Sequence, residues 1–224
     1  MGLVCLPALV PDIKEAYDCY FEAFKGEAII DILFPSGVDD AFREAHTQGT
    51  AEYWKHSKVQ YTVKCVDGET GEVVGMGLWD FYLKPRTDEE VANPGVDWLE
   101  GKQKERAEKL LGPLWEEKKR IMGKRPHSYC HVVAVKPEHQ RRGAGALLTQ
   151  WGLDLAEQFK LPVYLESSPQ ARRLYSKLGF TEVGKIVHEG AVLEEKDDVD
   201  IPLLVKMPST LKEDFQTWRV KYED

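Results

Sequence analysis

The chain has 224 residues, 42% apolar and 30% charged, with a formal net charge of −8. That composition suits a folded domain and excludes global disorder. The negative balance argues against non-specific nucleic-acid binding, which needs a basic face, and against docking on anionic membranes. No apolar run approaches the ~20 residues that span a bilayer. The opening MGLVCLPALVPD lacks the basic leader of a signal peptide, and the four scattered cysteines form no C-x-x-C pair. A cytoplasmic protein with reduced thiols is expected.

In chain order, Leu3–Leu6 reads as a first strand, and Pro11-Asp12 opens a helix in which Ile13, Ala16, Tyr17, Tyr20, Phe21 and Phe24 recur at three and four. A second helical region covers about 38–58, with Phe42, Ala45 and Trp54 as candidate buried positions. Tyr61–Val66 and Val73–Leu83, joined through Asp67-Gly68 and Gly71, read as a hairpin. Residues 84–127 hold eleven basic and nine acidic side chains. Glu100/Lys104, Glu105/Lys109 and Glu116/Arg120 stand four apart in helix-supporting order. Trp98, Leu110, Leu111, Leu114 and Trp115 need a surface to cover, so this is an inserted helical element. Tyr129–Val135 is then a strand, Ala146–Phe159 a helix, Pro162–Glu166 a strand and Gln170–Leu178 a short helix ended by Gly179. Thr181–His188 and Ile201–Met207 are the last strands, with an acidic hairpin loop, GAVLEEKDDVD, between them. The whole of 1–224 is expected to form one α/β domain.

The strand-to-helix junction QRRGAG, Gln140 to Gly145, carries the chemistry. A helix start leaves backbone N–H groups without partners and adds partial positive charge, and glycines let an anion approach the main chain. Gly143 and Gly145 suit that role, with Arg141 and Arg142 adding charge. A Walker A string is absent. The dinucleotide fingerprint also fails, because Leu148 stands where its third glycine belongs, as Asp80 does after Gly75-Met76-Gly77.

The longer string VVAVKPEHQRRGAGALL resembles motif A of the GNAT superfamily of acetyl-CoA-dependent N-acyltransferases, Q/R-x-x-G-x-G/A, filled here by Gln140, Gly143 and Gly145. Downstream, VYLESSPQARRLYSKLGFTEVGK resembles the family's strand followed by A-x-x-L-Y-x-x-x-G-F, filled by Ala171, Leu174, Tyr175, Gly179 and Phe180. The resemblance is specific over about 129–187. It departs at Ser168, where the family often has asparagine. That hydroxyl is a candidate ligand for pantetheine and equally a cap before Pro169. The resemblance implies a GNAT fold, a mixed twisted sheet flanked by helices, with the helical insertion lying before the motif-A strand. It implies acetyl-CoA as cosubstrate, with no metal, and transfer of the acetyl group to an amine by direct attack in a ternary complex. Val133, Ala134 and Val135 would meet the pantetheine. The amides of Arg141, Arg142, Gly143, Ala144, Gly145 and Ala146 would meet the pyrophosphate, and Gln140, Ser168 and Ala171 complete the expected cofactor-binding set.

Tyr175 matches the family tyrosine often assigned as general acid to the departing thiolate, and a packing role is the alternative. For the base, strand alternation puts Tyr129, His131, Val133 and Val135 on one face. His131, as an imidazole, is the candidate base, and a hydrogen-bonded core histidine is the alternative. Glu166 at the next strand's end is the rival, unless it pairs with Arg172 or Arg173. The histidines lack metal-ligand spacing, and no G-x-S-x-G elbow exists. The resemblance implies that the acidic loop, with Glu189, Glu194, Glu195, Asp197, Asp198 and Asp200 against Lys196, lies beside the acceptor entrance, where it would favour a cationic amine; a solvated surface turn is the alternative. The other functional readings are a non-catalytic acyl-CoA-binding module and a protein-interaction domain. Acceptor identity and oligomeric state are not legible.

Overall fold

A computed structural model describes residues 2–221. Seven strands form one mixed sheet in the order β1-β2-β3-β4-β5-β7-β6. They are β1 (Leu3–Pro7), β2 (Gln60–Asp67), β3 (Val73–Tyr82), β4 (His127–Val135), β5 (Val163–Glu166), β6 (Thr181–His188) and β7 (Val199–Lys206). The helices are α1 (Ile13–Ala23), α2 (Ala28–Leu33), α3 (Asp40–His56), α4 (Asp88–Val91), α5 (Gly101–Met122), α6 (Ala144–Phe159), α7 (Arg172–Lys177), α8 (Gly190–Leu193) and α9 (Phe215–Val220). The chain divides into two compact units. One is the chain up to Phe81 with Cys130–Leu155, and the other is Tyr82–Tyr129 with the chain from Ala156 onward.

In the first unit β1 and β2 are antiparallel, from Leu3↔Asp67 to Pro7↔Val63. β2 and β3 form the expected hairpin. Its turn closes because Asp67 accepts the Glu69 amide at 2.9 Å, while Gly71, at φ 77°, donates to the Asp67 carbonyl at 2.8 Å. α1 buries Ile13, Ala16, Cys19 and Phe21, and Ala16 and Cys19 pack with Val73, Met76 and Ala134. α3 is capped by Asp39, which accepts the Phe42 amide at 2.8 Å. Phe42 and Trp54 are half-buried there, but Ala45 is exposed. The aromatic pattern drives this packing: Phe21, Phe34 and Phe42 meet edge to face at centroid distances of 5.2–5.8 Å, which leaves Ala45 on the water side. α2 has no counterpart among the expected elements. It is six residues long and its N-cap, Glu27, makes no side-chain cap.

In the second unit the charged insertion is helical, as α4 and α5. α5 buries Ala107, Leu110, Ile121 and Met122. Trp98, expected to be covered, is 57% exposed, because α5 begins only at Gly101 and Trp98 lies before it. Glu100 is the N-cap residue, so its expected partner Lys104 reaches Asp97 at 3.1 Å. Arg120 bonds Glu117 one turn away, and Glu116 accepts from Asn93 at 2.9 Å. β4 and β5 run parallel at Ser128↔Val163 and Tyr129↔Tyr164, while β5 and β6 each pair antiparallel with β7. The core of this unit gathers Ile121, Met122, Tyr164, Leu203, Val205 and Trp218. The stretch between β6 and β7 is not a plain hairpin loop. It contains the helical turn α8, closed by Glu194 at φ 58°.

Candidate active site

The turn after β4 is built from the end of the strand outward. Pro137–His139 form one 3-10 turn, and Gln140 donates from Nε2 to the Val135 carbonyl at 3.3 Å, bracing the strand end. Arg141 then takes φ 59° and Gly143 φ 97°. A left-handed arginine is uncommon and costs about 1 kcal/mol or more, so the surrounding turn must hold it there. A Cβ added at Gly143 would meet nothing within 4 Å; the glycine answers its backbone angle and opens onto solvent. α6 starts at Ala144, and the first intrahelical bond runs from Leu147 N–H to the Gly143 carbonyl at 3.0 Å. The amides preceding Leu147 have no intrahelical acceptor, and the positive end of a 16-residue helix stands behind them. The Arg142 guanidinium turns aside, to Asp67 at 2.6 Å and to the His139 ring at 2.7 Å. It holds the Asp67 carboxyl below the usual carboxylate range. In this arrangement Arg141 and Arg142 offer an anion their backbone amides; Arg141 is exposed, and the charge of Arg142, though also partly exposed, is engaged by Asp67.

β4 follows the alternation read from its sequence. Cys130 and Ala134 are buried, while His131, Val133 and Val135 are more open. On that open face His131 Nε2 lies 2.7 Å from Asp80 Oδ2 of β3. The Asp80 side chain is 7% exposed and that of His131 28%. Asp80 is the residue that sequence reasoning missed. Its signal was present: it is the one charged side chain in the apolar run VVGMGLWDFY of β3. A buried carboxylate at this distance holds the orientation of the ring.

The remaining candidates belong to the second unit. Tyr175 on α7 is buried at 6% exposure, edge to face with Phe180 at 5.4 Å. The α7 sequence seats it there because Gly179, at φ 84°, ends the helix and turns Phe180 back. Glu166 ends β5, half-buried. Arg172 is engaged by Glu182 at 2.6 Å. Next to Glu166 along β5, Tyr164 is fully buried, and burial together with the Glu166 charge pushes its phenol up, so it stays protonated. Ser168 Oγ accepts the Ala171 amide at 3.3 Å, so it caps the turn leading into α7. The structure thus brings Gln140–Ala146, Val133–Val135, His131 and Asp80 together in one unit, and Glu166, Ser168, Ala171 and Tyr175 in the other.

A family model described as the acetyltransferase (GNAT) family matches residues 26–180, more than half of the chain. The chain belongs to the GNAT acetyltransferase family. It is an enzyme of the acyltransferase class. "Probable acyltransferase SID5" of Ajellomyces capsulatus is 34% identical over 138 residues, which are 61% of this chain and 96% of that protein. The polyamine N-acetyltransferase of Drosophila melanogaster, which catalyses formation of N-acetylagmatine, matches 92% of this chain and 100% of its own at a TM-score of 0.66 and 14% identity. A mosquito arylalkylamine N-acetyltransferase, like 5b, matches 92% and 100% at a TM-score of 0.61 and 14% identity. At such identities the structural likeness speaks for the GNAT fold alone.

Within this GNAT chain the acidic loop is partly engaged by its own surroundings. Glu195 and the Leu193 carbonyl both accept from Arg106 of α5. Asp198 accepts the Gly190 amide at 2.9 Å, and Asp200 lies 3.3 Å from Lys185. Glu189, Glu194 and Asp197 are exposed. Beside the GNAT turn, Glu72, Glu138 and His139 come close enough to share a cation. The Glu72 carboxylate there is bonded to Lys136 at 2.7 Å, which holds it below the usual range. Among the described residues no helix is long and apolar enough to cross a membrane.

Proposed function

We propose that this GNAT enzyme acts as a single catalytic domain in the cytoplasm and transfers an acetyl group from acetyl-CoA to an amine, by direct attack in a ternary complex. The observation that carries the reading is the turn at Arg141–Gly143. Two left-handed residues, an open Gly143 and the start of α6 form a cradle of amides suited to a diphosphate. The backbone amides of Arg141 to Ala146 would hold the pyrophosphate, and Val133, Ala134 and Val135 would pair with the pantetheine. Gln140 keeps the strand end and turn in register, and Ser168 and Ala171 shape the start of α7. Acetyl-CoA supplies an activated thioester when bound.

The chain's own groups then have three tasks: to leave the amine neutral, to stabilise the oxyanion, and to protonate the leaving sulfur. His131 accepts the amine's proton, with Asp80 holding the ring and balancing its charge. Glu166 is the rival acceptor, and a half-buried carboxylate there also suits a cationic amine. Tyr175 returns a proton to the thiolate, the step at which a phenol O–H acts as general acid. The fold neighbours named for polyamines and arylalkylamines act on amines, which supports that acceptor class. The exposed acids Glu189, Glu194 and Asp197 support a cationic one.

The test is free-thiol release from acetyl-CoA with a panel of cationic, neutral and anionic amines. Release above the hydrolysis background with a cationic amine is the expected result. Release that no amine accelerates would overturn the reading.

A further inference from the structure

We propose that Cys5 and Cys65 form a thiol–disulfide exchange site, which reacts with low-molecular-weight disulfides and staples the edge strand β1 to β2. Cys5 and Cys65 are register partners in the antiparallel β1–β2 pair. The parity of that pair follows from its ends, where the Gly68 amide bonds the Gly2 carbonyl at 3.2 Å and the Ala8 amide bonds the Thr62 carbonyl at 2.8 Å. Both are hydrogen-bonded positions, so the alternation makes 4/66 and 6/64 hydrogen-bonded too, and Cys5/Cys65 a non-hydrogen-bonded pair. Such pairs hold their Cα atoms about 4.5 Å apart with both side chains on the same face. A disulfide needs a Cα separation of about 4.4–6.8 Å, so the bond closes without moving the backbone. The two thiols already hydrogen-bond one another. Cys65 is fully buried, whereas Cys5 is partly open because β1 is the sheet's edge. The other two cysteines, Cys19 on α1 and Cys130 on β4, are buried, and Cys19 bonds the Glu15 and Val73 carbonyls.

The chemistry balances. The hydrogen bond to Cys65 and burial push the Cys5 thiol up, so attack falls to the small fraction of Cys5 that has lost its proton at the open edge: its thiolate attacks one sulfur of the small disulfide, breaking its S–S bond, releasing one thiolate and leaving a mixed disulfide. Cys65 loses its proton to solvent, attacks the Cys5 sulfur and expels the second thiolate. The protein loses two electrons and the small disulfide gains them, ending as two thiols. An edge strand is held on one side only, so a covalent tie at its centre restrains it most. The tie also lies two residues before Asp67, which holds Arg142 of the turn. This inference stands independently of the acetyltransferase reading.

The experiment exposes the full chain to oxidised glutathione in excess over reduced glutathione, then unfolds, alkylates and digests it for mass spectrometry. The expected product is a peptide joining Cys5 to Cys65 that has lost two hydrogens, with Cys19 and Cys130 fully alkylated. Cys65→Ser should stop at a glutathione adduct on Cys5, and Cys65→Ala serves if the serine variant does not fold. Hydrogen exchange at Leu3–Pro7 should slow about tenfold or more on oxidation of the wild type, since local opening then has to carry β2 with it. A glutathione adduct persisting on wild-type Cys5, bridging to Cys19 or Cys130, or no reaction would each overturn the exchange site. A bridge with unchanged exchange at Leu3–Pro7 would overturn the staple.

Discussion

At the scale of single residues, the proposed mechanism divides the chemistry between His131 and Tyr175, and each has a neighbour that bears on its pose. His131 is paired with a buried carboxylate at 2.7 Å, and Tyr175 packs edge to face against Phe180 in a helix that a glycine ends. Removing each therefore has a different expected cost. Tyr175→Phe keeps the ring packing and removes the hydroxyl that would donate the proton, so acetyl-CoA affinity should hold while kcat falls by about 10²–10⁴. Turnover within twofold of wild type would return Tyr175 to a packing role. Asp80→Asn keeps the shape and removes the charge that balances an imidazolium. A kcat loss of about tenfold or more with unchanged acetyl-CoA affinity is expected. Equal turnover would make the pair a structural hydrogen bond.

Elements meet through residues that the motifs do not mention. α6 carries the turn at its start, and it can lie where it does because Gly152 faces Trp79. A Cβ at Gly152 would come within 2.4 Å of the indole, which is itself fully buried. A rigid ring cannot yield as the end of a flexible chain does, so Gly152→Ala should destabilise by about 1–3 kcal/mol through overpacking. Thermal melting checks this: a Tm equal to wild type would mean that the helix shifts without cost. Gly75 plays a comparable part, since a Cβ there would lie 2.7 Å from the Ala134 carbonyl. The G-M-G string that failed as a nucleotide fingerprint is therefore explained by close strand packing.

For the whole molecule, binding and folding are linked. Acetyl-CoA present at 100 times its Kd should stabilise the fold by about 2.7 kcal/mol, seen as a rise in Tm. Gly143→Asp should abolish that rise, because it places a β-carbon at φ 97° and a negative charge at an amide cradle. A wild-type Tm that saturating acetyl-CoA leaves unchanged would sink the assignment of this turn to acetyl-CoA. The charged insertion, unusual in composition, proves to be α5 with its end buried in the core of its own unit, through Ile121 and Met122.

Local physics wrote part of this protein openly in its sequence. Glycines at 143 and 179, the proline after β4 and the alternation along β4 are short-range constraints. The turn, the seat of Tyr175 and the open face of His131 are therefore legible in the order of residues alone. The hairpin is legible for the same reason. What only tertiary structure decided involves residues distant in the chain. Asp80 and His131 are 51 positions apart and meet because β3 and β4 are neighbours in the sheet. Arg142 turns to Asp67 rather than to solvent because β2 ends beside the turn. The expected Glu100/Lys104 pair gives way to Lys104–Asp97 because Glu100 is a cap and Asp97 lies within reach. The cysteine pair depends on strand register, and no spacing in the chain announces that residue 5 will stand opposite residue 65. A sequence specifies such meetings only through the fold, since pairing is set by which faces must be buried together.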